Sequence, residues 1–360
     1  MMNTGLGERV KMARSMARLS QEALGQRAGV SKMAISKYEK EQMTPSSDVL
    51  IQLAAALGQR VDFFLRGPVR ANLQPVYRGR AGLRNGNRRE AEVLAQLHEW
   101  LERYLAVESL FPLAEIPHFA FPPGFPRQVD ALDQVEDAAA ALRVAWDLGE
   151  NPIDNLTEVL EEQGVKVGLV GGNDHFDACL FRSADGSPVI AVKRDLPGDR
   201  QRFNLAHELG HLMVVPGPDL DPEKAASRFS GAFLVPPDAA RYELGGQRNV
   251  LSSAELHLLK HKYGVSMAAW VYRAADLGIL SPEAVRRQWQ QFSRQGWRTQ
   301  EPGDQLAPEA PQRLVRLVLR ALAEKVIGQQ RAGELLGIPW QTFVREQAQQ
   351  HGDIPLAMRA

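Results

Sequence analysis

The stretch RFNLAHELGHLMV, residues 202–214, decides the reading of this chain. His207 and His211 stand four apart, so on a helix they project from one face, one turn apart. Two imidazoles so placed can reach one Zn²⁺. Glu208 beside the first of them points into the same cleft, where it can hydrogen-bond a water. Phe203, Leu205 and Leu212 supply the apolar positions of a core helix, the rigid support such a site needs. A catalytic zinc takes three protein ligands and keeps one position open. Twelve residues past His211, Glu223 opens the helical pattern PEKAASRFSGAFLVP, with Ala226, Phe229 and Phe233 inward, and is a reasonable third ligand. Asp219 and Asp221 are rivals, but they sit in a Pro/Gly loop where carboxylates are more often solvated.

Upstream, the runs VKVGLV (165–170), FDACLF (176–181) and PVIAVK (188–193) predict a small sheet beside this helix. The turn from Ser183 to Gly186 suits a hairpin between the last two. An exposed edge strand there could hold an extended substrate by strand addition. His175 and Tyr242 are candidates for stabilising an oxyanion. His257 and His261 repeat the spacing of four, but Leu258 stands where a catalytic Glu would be, so helix surface is the better reading. Cys179 reads as a small buried strand residue.

Lys+Arg and Asp+Glu both number 43, and a formal charge of zero argues against a nucleic-acid partner. The distribution reverses that argument. Residues 1–89 hold 16 basic against 6 acidic side chains, and residues 90–360 hold 27 against 37. A basic head on an acidic body suggests an anionic partner for the head. Within the head, LSQEALGQRA and KMAISKYEKEQ flank Gly29-Val30-Ser31, with Ser20 and Ser31 as N-caps. Gly29 is placed where a helix stops most easily on a left-handed residue. Two short helices around such a turn make a helix-turn-helix, whose second helix can enter a major groove. Helices over Leu6–Met16 and Asp48–Leu57 complete the small core.

The expected fold is mainly α with a small β-sheet (α+β). Four segments are expected: a helix-turn-helix domain at 1–68, a linker and helical connector at 69–130, a zincin-like domain at 131–292, and a linker with a C-terminal helical region at 293–360. The connector carries the basic run Arg78–Arg89, an amphipathic helix near Ala91–Val107, and the Pro/Gly cluster at 120–126. The last region, VIGQQRAGELLGIPWQTFVREQ, again has helix, Gly337, helix; with few basic residues on its second helix it is expected to pack or dimerise rather than read DNA. One cysteine excludes an internal disulfide, and no apolar run approaches the 18 residues of a membrane span. The N-terminus lacks the apolar core of a signal peptide. A cytoplasmic location with no membrane partner is expected.

Two resemblances sharpen these readings. Gln21, Leu24, the Gly29-Val30-Ser31 turn, Ile35, Tyr38-Glu39, Pro45 and VLIQLAAALG resemble the XRE family, the Cro and lambda-repressor type of DNA-binding domain. By position, that resemblance implies that Gln21, Ser31, Lys32, Met33, Ser36 and Lys37 face double-stranded DNA, and that the chain works as a homodimer. Residues 137–290 resemble the ImmA/IrrE family of zinc metallopeptidases, on Arg202-Phe203 before HELGH and on the E-x-x-A-x-x-F…L-x-P pattern from Glu223 through Pro236. This second resemblance implies Zn²⁺ held by His207, His211 and Glu223, with Glu208 as general base. Ser227 departs from the Asp or Asn that relatives usually place four after the ligand Glu, and Ala225 replaces a frequent Glu.

Together these imply a DNA-binding transcriptional regulator with a zinc-dependent endopeptidase domain, cleaving a repressor or antitoxin-like protein in a stress or mobile-element response. An alternative is a transcription factor or antitoxin whose zinc domain is a sensor or scaffold without proteolysis. A general degradative peptidase fits less well, because it has no use for a tethered DNA-binding head.

Overall fold

The computed structural model describes residues 5–66, 73–76, 88–171 and 176–351. Five helices form the head: Leu6–Met16 (α1), Gln21–Arg27 (α2), Lys32–Glu39 (α3), Ser47–Leu57 (α4) and Val61–Leu65 (α5). The serines predicted as caps do that work: Ser20 and Ser31 accept hydrogen bonds from the backbone N–H groups of Ala23 and Ala34. Gly29 has φ 67°, a left-handed turn that a Cβ would strain. Leu24, Ile35, Leu53, Phe63 and Phe64 fill the core beneath.

A two-residue strand, Gln74–Pro75 (β1), leads to the long helix Arg88–Glu108 (α6). This helix joins head and body. Buried Arg9 of α1 forks onto Glu102 of α6 at 2.9 and 3.0 Å, and Arg18 meets Glu92 at 2.6 Å.

The body follows with Arg127–Val129 (β2), Leu132–Ala145 (α7), Leu156–Glu162 (α8), Lys166–Val170 (β3), Ala178–Arg182 (β4), Pro188–Lys193 (β5), Gly198–Met213 (α9), Val214–Pro216 (β6) and Pro222–Leu234 (α10). It continues through helices Pro237–Leu244 (α11), Ser253–Tyr263 (α12), Met267–Asp276 (α13) and Pro282–Arg294 (α14). The sheet has the order β1-β4-β5-β3, with β4 and β5 antiparallel as the hairpin turn predicts, and β3 parallel to β5. Strand alternation divides its side chains between two cores. Leu180, Ile190 and Val192 face the core of α7, α9 and α10, whereas Cys179, Phe181, Val189 and Ala191 face α6. Both faces are therefore buried. Gly168 lets α6 close on β3, since a Cβ there would meet Leu97 at 2.6 Å.

Three final helices, Arg313–Ala323 (α15), Gln329–Leu336 (α16) and Trp340–His351 (α17), share the core of α6. Trp340 and Phe343 at the start of α17 are buried there, so this helix packs against the core of α6.

The polar stretch before α15 has no regular structure, yet it is tied down. Glu301 accepts from the N–H groups of Met267 and Ala268 and pairs at 2.9 Å with Lys260, which is fully buried and also holds Asp199 at 3.0 Å. Glu309 accepts from Leu156 and Thr157 N–H at 3.1 and 2.8 Å and pairs with Arg202. These carboxylates sit on the starts of α13 and α8, where unpaired N–H groups favour negative charge. The segment expected to be a linker is thus a strap across the body. Among the described residues no helix is long and apolar enough to cross a membrane.

Candidate metal and catalytic site

The site is made where α9 and α10 cross. Gly210 lets them approach closely: a Cβ there would lie 3.1 Å from Ala226 Cα. That contact sets the start of α10 beside the histidine face of α9. His207 Nε2 lies 3.1 Å from His211 Nε2 and 3.3 Å from Glu223 Oε2, and His211 Nε2 is 3.8 Å from Glu223 Oε1. The three ligand atoms all fall within 4.8 Å of one another. The structure therefore brings together the three predicted ligands from two helices.

The charge states suit a cation. Burial holds the His211 imidazole down at about 3, helped by neighbouring His207, and burial also lowers His207 against the pull of Glu223. Both rings stay neutral near pH 7, the form that ligates metal. With the proton of each ring on its outer nitrogen, two lone-pair nitrogens and a carboxylate converge on one point, a donor set that fits a divalent cation.

Glu208 is 5 % exposed and turned toward the sheet, where its Oε2 accepts the N–H of Leu180 in β4 at 2.8 Å. Burial pushes its carboxyl up to about 7, against the lowering effect of that N–H and with a further push from Glu223. Ser227 Oγ stands 3.4 Å from His207 Nδ1, so the short hydroxyl occupies the place behind the ligand. Asp221 is not a rival ligand: its carboxylate caps α10, accepting from Glu223 and Lys224 N–H. Asp219 is exposed.

Of the oxyanion candidates, His175 lies outside the described residues. Tyr242 stands 85 % exposed on α11 with no hydrogen bond to the site among the described residues. His257 and His261 lie on α12; His261 is exposed and Leu258 is 71 % exposed, but His257 is half-buried against Gly303 of the stretch before α15, so the surface reading fits His261 and not His257. Cys179 is buried in β4. The Leu180 amide was missed. A backbone N–H on a strand 28 residues before Glu208 leaves no side-chain signature.

On the head, Ser31, Lys32, Met33 and Lys37 are exposed along α3, with Met33 at 68 %. Ser36 is half-buried. Gln21 is half-buried too, its amide donating to Glu39 Oε2 at 2.7 Å. Most of the basic run Arg78–Arg89 lies outside the described residues.

Residues 171–275 match the family model described as the IrrE N-terminal-like domain of peptidase family M78, and residues 10–64 match the helix-turn-helix model. The repressor protein C2 of Salmonella phage P22 is 40 % identical over 67 residues, which is 18 % of this chain and 31 % of that repressor. The chain thus spans under a third of the length of that curated relative. A crystal structure of the P22 c2 repressor with a synthetic operator is 37 % identical, covers 17 % of this chain and 94 % of that one, and has a TM-score of 0.17. The chain thus joins a helix-turn-helix domain at 10–64 to a peptidase-family domain at 171–275.

Proposed function

We propose that the chain is a DNA-binding regulator whose zinc-dependent endopeptidase domain cleaves a repressor or antitoxin-like protein. The observation that carries this reading is the convergence of His207, His211 and Glu223, with Glu208 clamped beside them. These three residues would hold zinc, which when bound supplies Lewis acidity toward a peptide carbonyl. Glu208 receives the proton of an attacking water and passes it to the leaving amine. The Leu180 N–H fixes one carboxylate oxygen, so the side chain meets its proton in a single orientation.

The direct test is to incubate the full chain with the product of the adjacent gene, beside the Glu208→Gln variant. Cleavage by the first and not the second supports the peptidase. A second reading, a zinc-bearing sensor without proteolysis, draws support from the near-complete burial of Glu208. A regulatory phenotype untouched by Glu208→Gln would favour it.

Ser227→Asp places a carboxylate behind His207, where a partner for the outer nitrogen orients the ring and raises its basicity. Zinc affinity in competition with a chelator is expected to rise, by about 10- to 100-fold. An unchanged affinity would show that the 3.4 Å contact has no bearing on the metal.

For the head, we assign α3 to the major groove of double-stranded DNA, as a homodimer in the cytoplasm. Lys37→Ala is expected to weaken binding about equally across sequences and to reduce the slope of log K against log salt by about 1. A loss confined to one base position would instead make Lys37 a reader of bases.

A further inference from the structure

We propose that residues Leu73–Val76 form an internal strap on the edge of β4, holding in cis the place where an extended peptide of a protein substrate would dock. The proposal rests on the peptidase reading above and adds its regulation. The strap runs antiparallel to β4, with Gln74 opposite Arg182 and Pro75 opposite Phe181. Val76 N–H then donates to the carbonyl of Leu180 at 2.9 Å. In an antiparallel ladder the N–H of that same residue would be returned to the strap. Here it goes to Glu208 Oε2 at 2.8 Å instead. Strap and general base therefore meet on the two polar groups of one residue, and a peptide adding to this edge beside Glu208 must first take the strap's place.

The strap is anchored at Leu73. The Leu73 side chain is 6 % exposed in the core under α6, and its N–H donates to His98 Nε2 at 3.3 Å. Val76 is 38 % exposed, and Pro75, opposite Phe181 between the hydrogen-bonded positions, leaves the outer edge of the strap without an N–H at that residue. Among the described residues the β4 edge is covered by a two-pair ladder. Such a ladder is weak by itself but is presented at an effective concentration in the millimolar range, because it is tethered. A longer extended peptide can exchange with it, since main-chain pairing supplies affinity on a sheet edge without a preformed pocket. The strap lies between α5 of the head and α6, so the chain's own connection is the occupant.

The test measures binding of a fluorescein-labelled synthetic peptide of residues 71–79 to the full-length protein by anisotropy. Val76→Pro removes the N–H given to Leu180 while keeping an extended backbone, and is expected to bind the peptide about tenfold or more tightly than the wild type. Leu73→Asp, which breaks the buried anchor, should act in the same direction. Val76→Ala retains the N–H and should behave as the wild type. Equal affinities for all four proteins, or no measurable binding to any, would overturn the strap. Binding is read without turnover, so a fixed strap on an active peptidase and a displaceable strap on an inactive one give different results.

Discussion

Glu208→Gln is expected to leave about one zinc per chain in place and to lower peptide hydrolysis by about 10²- to 10⁴-fold, the range for losing a positioned acid–base group. The separation of the two effects follows from where the carboxylate points. Its Oε2 accepts from Leu180 N–H in the sheet, while the ligand atoms belong to His207, His211 and Glu223. A glutamine can still accept from Leu180 through its carbonyl oxygen, so the geometry of α9 survives; what is lost is the ability to take up a proton. His207→Ala should instead remove the metal along with the activity. Zinc content by atomic absorption and cleavage followed by mass spectrometry check both variants. Cleavage at wild-type rate by Glu208→Gln would sink the assignment of Glu208 as base. Loss of zinc from that variant would show that Glu208 is a ligand.

The parts of this site that could be read in advance share one property: they are side chains at helical spacing. His207 and His211 are one turn apart on α9. Glu223 opens a helix whose inward Phe229 and Phe233 mark its face, and the structure buries both. The head was legible for the same reason, since Ser20, Ser31 and Gly29 are local choices with local consequences. Three features escaped. The clamp on Glu208 is a backbone amide from a strand distant in sequence, and any residue type except proline could supply it. The strap of Leu73–Val76 follows no period and carries a proline, so its pairing with β4 could not be inferred from pattern. The edge expected to be exposed is therefore covered. Glu301 and Glu309 sit in a stretch rich in Gly, Pro and Gln, where composition speaks for a solvated tether. Only the tertiary structure shows that each meets the bare N–H groups at the start of a helix.

That last point leads to the largest stability effect. Glu309→Ala is expected to destabilise the body by about 3–5 kcal/mol, the range for breaking a buried ion pair by removing one partner. Glu309 satisfies three groups together: the N–H groups of Leu156 and Thr157, and the guanidinium of Arg202. The side chains of Arg202 and Glu309 are only 7 % and 11 % exposed, so solvent cannot readily replace what is removed. Arg202 would retain the carbonyl of Ile153 at 2.6 Å but lose its counter-charge. Arg202→Met combined with Glu309→Ala should be less destabilising than the sum of the two single changes, because the charge left stranded by the one is deleted by the other. The effect should also reach the metal. Arg202 lies on α9 five residues before His207, and neighbouring Gln201 exchanges two hydrogen bonds with the backbone of Glu309 at 2.7 and 2.9 Å. The stretch before α15 therefore holds the helix that carries the ligands. Chemical denaturation followed by tryptophan fluorescence, together with chelator competition for zinc, measures both consequences. A variant that unfolds like the wild type would show that this carboxylate only rests on the body, and that α9 is held by its apolar packing alone.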